Sequence, residues 1–255
     1  MTAILWTSLV LLILASFKSP YRLVLGGIGW ALFGVHWVSS SFYYVDLADY
    51  FNVILTLLVA VFCVLIAKKM LFGGRETGDI VYRLTRVTAV GGMVYFMLSQ
   101  IPLLNTGIIS TVTDQTIWMI RLFGYEVQPV EWNMMRINTS LVEIILACTA
   151  IESIALFIGL ITTAGSNYYR MFKAFAVSVP VIYLLNLFRN TFITVAFGNM
   201  WFGPPAQSFF IAHSIIAKIG SALALLVISY MVLRILPEVL DLIQDTVRLV
   251  KPDKA

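Results

Sequence analysis

Charge is scarce in this chain of 255 residues: Asp, Glu, Lys and Arg together supply 12% of it, about half the share of an ordinary soluble domain. A water-facing surface cannot be built from so little, which excludes a soluble globular fold. The net charge of +4 is also too small for a nucleic-acid surface, and no nucleic-acid partner is expected. Cysteine is nearly absent. Cys63 and Cys148 stand far apart without CxxC or Cys/His spacing, so there is no metal motif, and a disulfide between them has no positive support. Histidine is limited to His36 and His213, and no HExxH run offers a zinc protease site. Gly73-Gly74 lacks the spaced glycines and the Lys-Ser/Thr ending of a phosphate loop. No metal and no cofactor is expected. Neither an internal repeat nor a low-complexity segment divides the chain, which reads as a single membrane domain over 1–255.

What the chain has in quantity is apolar surface, with 60% hydrophobic residues and a mean hydropathy of +0.92. The apolar runs predict an all-α integral membrane protein of about seven transmembrane helices, at 2–17, 23–44, 51–67, 87–104, 141–163, 174–197 and 208–236. No basic residue precedes the first run, so it reads as a mature helix rather than a signal peptide. Two amphipathic stretches, 111–123 and 237–250, read as interfacial helices. Placing the N-terminus outside and the C-terminus in the cytoplasm puts thirteen of the 17 Lys and Arg on the inner face. These are Lys18, Arg22, Lys68, Lys69, Arg75, Arg83, Arg86, Arg170, Lys173, Arg234, Arg248, Lys251 and Lys254. The outer loops keep Arg121 and Arg136, while Arg189 and Lys218 fall within spans. That asymmetry is the positive-inside pattern.

The run at 141–163 organises the rest. It is long enough to cross a bilayer, yet it carries Glu143, Cys148 and Glu152, and acids at membrane depth usually face protein or a wet cavity. Ser140-x-x-Glu143 reads as a capping box opening the helix, a stronger reading than the glycosylation sequon at Asn138-Thr139-Ser140. Glu143 is therefore assigned to the cap, and a thiol with Glu152 four residues on shares one helical face. The three spans 141–163, 174–197 and 208–236 form the candidate catalytic set. On this topology Cys148 lies roughly 10 Å below the outer end of its helix, Arg189 roughly 12 Å and His213 roughly 8 Å. Glu152, Asn186 and Lys218 coincide one layer deeper, at roughly 15 to 16 Å, with Glu152 and Lys218 as an expected ion pair. Pro180 is expected to bend its helix. Cys63, among apolar neighbours, and His36, beside Trp37, read as packing.

The upper layer has the chemistry of a nucleophilic site. A nearby cation favours the thiolate over the thiol. His213 can act as base and then as the acid that protonates a leaving amine. Arg189, charged at any accessible pH, can hold the thiolate or the oxyanion of a tetrahedral intermediate. The alternative is a transporter or channel using the Glu152, Asn186 and Lys218 layer as a polar pathway. Against it stand the absence of an inverted repeat and the apolar inner halves of these spans. A nonenzymatic scaffold would leave Arg189 without a purpose. No aspartate pair within spans is evident, and Ser214 lacks a Gly-x-Ser context.

ACTAIES around Cys148, NLFRNTFI around Arg189 and AHSIIAK around His213, in this order on successive helices, resemble the exosortase/archaeosortase family, most closely its archaeosortase A branch. The resemblance covers mainly 140–221. It implies that Cys148 and Arg189 are catalytic, with His213 at a third position that varies among members; Arg234, the other candidate, falls at the inner face. A Gly often follows the Cys where this chain has Ala150. The implied activity is that of a sortase-like cysteine protease or transpeptidase working through a thioacyl intermediate. The implied partners are secreted or S-layer-type proteins ending in a C-terminal tripartite signal: a short motif (Pro-Gly-Phe in this branch), a transmembrane helix and a basic tail. A membrane lipid amine would accept the new C-terminus. The expected location is a cell membrane, multi-pass and of archaeal type, with the site in the outer half of the bilayer.

Overall fold

The structure, a computed structural model, describes residues 2–46, 48–73 and 79–250. Arg75, Lys251 and Lys254, three of the cations placed on the inner face, lie outside the described residues, as does Gly74 of the Gly73-Gly74 pair. Among the described residues four helices are long and apolar enough to cross a membrane: α2 (Arg22–Asp46), α3 (Tyr50–Phe72), α7 (Tyr168–Gly198) and the run Pro205–Ile235. A fifth crossing is available if α4 (Asp79–Gln100) and α5 (Pro102–Leu122), bent by 85° at their junction, count as one span. The chain is thus an integral membrane protein, with four to five such spans by length among the described residues. In place of the other expected spans stand α1 (Thr2–Ser16) and α6 (Ile151–Thr163). At about 1.5 Å per residue they reach only about 22 Å and 20 Å, against a hydrocarbon core of about 30 Å.

The chain forms two compact units. One contains α1 to α3, most of α4, the last residues of α6 and the C-terminal α10 (Pro237–Val250). Its α1 buries Leu5, Leu9 and Leu12 at helical spacing, and the Ser8 hydroxyl donates to the Gly29 carbonyl at 2.9 Å. Trp30 Nε1 donates to Thr85 Oγ1 at 3.0 Å. Cys63 is fully buried and His36 stacks on Phe33, both acting as packing groups. Lys68, Lys69, Arg83 and Arg86, expected in one long loop, are helical, because α3 and α4 extend to Phe72 and back to Asp79. The 237–250 stretch is a helix as expected, burying Val239 and Leu242.

The second unit holds the candidate site, and here the chain departs most from the helical expectation. The short helix expected over 111–123 begins at Pro102, whose missing N–H suits a first helical turn. After it comes a three-stranded antiparallel sheet, β1 (Gln128–Glu131), β2 (Met134–Ile137) and β3 (Ser140–Glu143), in that order. The predicted helix 141–163 is therefore split. Its first residues are β3, followed by a 3-10 turn at Leu146–Cys148, and α6 starts only at Ile151. The β-branched Val142, Ile144 and Ile145 favour an extended strand, and pairing with β2 decides it. Glu143 accordingly caps no helix; it pairs across from Met134 and accepts from Asn133 Nδ2 at 3.0 Å. At the β2–β3 turn Asn138 takes a positive φ of 52° and donates to the Gly198 carbonyl at 3.0 Å. A Cβ on Gly198 would meet Ile137 Cβ at 2.7 Å, so glycine lets β2 lie against the end of α7.

The core of this unit joins Val112 and Ile120 of α5, Met135 and Ile137 of β2, Ile144, and Leu187 and Val195 of α7. Helix α7 runs through Pro180 without interruption. The last span is composite: α8 (Pro205–Phe209), a π-helical stretch Phe210–Ile216, then α9 (Ala217–Ile235). Arg170 Nε, in the first turn of α7, donates to the Ile235 carbonyl at 2.9 Å and so closes the C-terminal end of α9.

Candidate active site

Cys148 stands outside any α-helix, at the end of the 3-10 turn, three residues before α6. Its N–H donates to the Ile145 carbonyl at 2.8 Å, and the Thr149 N–H and hydroxyl both bond the Leu146 carbonyl, at 2.9 and 2.7 Å. Ala150 then takes φ +58°, left-handed backbone that ordinarily falls to glycine. This turn is why Cys148 and Glu152 do not share one helical face. The half-buried Cys148 packs against the α5, sheet and α7 core beside Leu146 and Tyr183. The Tyr183 hydroxyl donates to Gln115 Oε1 at 2.6 Å.

The Cys148 carbonyl is held twice from α7, by Asn186 Nδ2 at 2.7 Å and by Asn190 Nδ2 at 2.9 Å. The two asparagines sit four residues apart and so share a helix face. Leaving such an acceptor bare away from water would cost about 1–3 kcal/mol. Sequence reasoning placed Asn186 in the deeper polar layer and gave Asn190 no role. The i, i+4 asparagine pair flanking Arg189 was the available signal.

Beside this turn opens a cavity of about 650 Å³. Arg189 lines it together with Ala147 and Ala150, which flank the cysteine, and with Glu152, Asn186 and Lys218. The rest of the wall is largely apolar, including Phe188, Phe192, Gly220 and Ala224. The structure therefore gathers Arg189 with all three members of the deeper layer. Cys148 borders the space through its neighbours and its own side chain is not part of the wall. The expected ion pair is missing: both Glu152 and Lys218 are exposed, and among the described residues no salt bridge joins them.

His213 lies in the π-helical stretch, its ring stacked on Phe209 with centroids 5.0 Å apart and planes within 7°. Its side chain is not part of the wall that holds Arg189 and Lys218. Such π-helical insertions are frequent at functional sites, and nothing in the sequence marked this one. Among the described residues no three His, Cys, Asp or Glu side chains come together as a metal-binding group.

No solved structure matches the chain. The family profile described as transmembrane exosortase matches residues 2–234. The chain is similar to the archaeosortase A of Haloferax volcanii, at 31% identity over 88% of this chain and 84% of that protein. It is also similar to the archaeosortase A of Natronomonas pharaonis, at 28% identity over 88% of this chain and 79% of that protein. A profile spanning nearly the whole chain, with relatives matched over most of their own length, leaves one assignment: the chain belongs to the transmembrane exosortase family.

Proposed function

We propose that the chain is a membrane-embedded cysteine transpeptidase that processes the C-terminal sorting signals of secreted or surface proteins. The observation that carries the reading is the Cys148 turn itself, a thiol at the end of a 3-10 turn whose flanking residues open onto the cavity lined by Arg189. In this reading His213 takes the Cys148 thiol proton as the sulfur attacks the carbonyl of the recognition motif, and the new thioester replaces the broken peptide bond. The departing amine takes a proton from His213. Arg189 meets the negative charge that develops on the carbonyl oxygen, with its planar fork available for two hydrogen bonds. The thioacyl intermediate is then released by a membrane lipid amine, whose one displaced proton passes through His213 to the sulfur and restores the thiol. The N-terminus lies outside, the C-terminus in the cytoplasm, and the site opens to the outer half of the bilayer. The shared name of the two relatives supports the substrate class.

A transporter using Glu152, Asn186 and Lys218 gains support from their common cavity. It loses more, because the Asn186 amide is committed to the Cys148 carbonyl. The test is mass spectrometry of secreted-protein C-termini in cells with the gene, without it, and with Cys148→Ser. Processed, lipid-bearing termini should vanish in the last two. Unchanged termini in the deletion would favour the transporter, and normal processing by Cys148→Ser would remove the thioacyl route.

A further inference from the structure

The segment Leu146–Ala150 can be read as helix from its sequence, and the fold keeps it from being one. In a continuous helix the Cys148 carbonyl would accept the N–H of Glu152, four residues on. Instead α6 opens with the Ile154 N–H on the Ala150 carbonyl, at 3.1 Å, after the left-handed Ala150. The Cys148 carbonyl is thereby turned toward α7, where Asn186 and Asn190, only 7% and 3% exposed, fill both of its lone pairs.

We infer that Asn186 and Asn190 form a carbonyl clamp that sets the direction of the Cys148 thiol, acting as positioning residues for the nucleophile. The inference rests on the reading of Cys148 as the nucleophile. Two donors from adjacent turns of one rigid helix fix both the height and the rotation of the carbonyl they hold. Because the carbonyl and the side chain leave neighbouring atoms of one residue, fixing the first restricts the second. The clamp also explains the spacing of NLFRN: the two amides grip the turn while Arg189, between them in sequence, is left to face the cavity. Release of the carbonyl would let the turn wind back into α6 and swing the thiol with it.

The test uses the full-length Cys63→Ser protein in membranes, in which Cys148 is the sole cysteine. Labelling it with carbonyl-¹³C cysteine gives that one carbonyl its own infrared band. Asn186→Leu and Asn190→Leu are close in shape and lack donors. Each should move the band to higher wavenumber, and the double change should move it furthest. Processing of a C-terminal sorting signal should fall about 100-fold in kcat with KM within about twofold, as a displaced reacting atom demands. The rate of Cys148 modification by N-ethylmaleimide should change in the same variants. A band unmoved in both single variants overturns the clamp, and so does a shifted band with normal kcat. If the leucine variants fail to accumulate, Asn190→Ser, whose hydroxyl is too short to reach, carries the same measurements. Cys148→Ser separates the two readings. Processing by that variant removes the nucleophile, whereas its inactivity beside normal asparagine variants removes the clamp alone.

Discussion

At Ala150 the chain accepts a left-handed backbone without the residue best suited to it. An L-residue there costs roughly 1 kcal/mol relative to glycine, more than the extra chain entropy glycine loses on folding. Ala150→Gly should therefore raise the thermal midpoint in detergent and leave processing intact, while the β-branched Ala150→Val should lower it. Lower stability for Ala150→Gly would mean that the turn is not held as described. The same physics accounts for the glycine expected at this position from the family resemblance. Glu152 and Lys218 give a second test. Both are exposed, both line the cavity, and no salt bridge joins them among the described residues. A double-mutant cycle of Glu152→Gln and Lys218→Met should return a coupling within about 0.5 kcal/mol in unfolding experiments. A coupling of roughly 3–5 kcal/mol would restore the buried pair that the sequence suggested.

Among the elements, the junction of β2 with the end of α7 depends on a missing side chain. Gly198→Ala would drive a Cβ into Ile137 and should cost about 1–3 kcal/mol by overpacking. Pairing it with Ile137→Ala should recover part of that loss in the thermal midpoint, and no recovery would place the strain elsewhere. The long spans were legible because an apolar run of more than twenty residues has few other fates in a chain this poor in charge. The sheet was not. Only three residues of β3, 141–143, fall within 141–163, and their pattern is averaged away by the apolar stretch that follows. The start of α5 was marked by Pro102 and overlooked, because the run 87–104 was apolar on both sides of the 85° bend. Cys148 and Arg189 were legible as residue types out of place in apolar runs. Asn190 offered only its i, i+4 spacing from Asn186, because its partner is a backbone carbonyl, which every residue has and no sequence marks.

For the whole molecule, charge placement argues for the N-terminus outside. In a Cys63→Ser, Cys148→Ser background, Asn199→Cys should react with an impermeant maleimide on intact cells, and Gly73→Cys should not. The reverse pattern would turn the site toward the cytoplasm and away from secreted substrates. One consequence of the short α6 reaches beyond the protein itself. A bilayer meeting a helix about 10 Å too short for its hydrocarbon layer thins to match it. The turn that begins this helix would then sit at the floor of a dimple in the lipid. Headgroups and water would descend to the cysteine, while the anchor of a passing protein would find its hydrophobic length suddenly excessive. A polypeptide in that position is pushed to expose the residues flanking its anchor. The lipid, by its own elasticity, would present the bond to be cut.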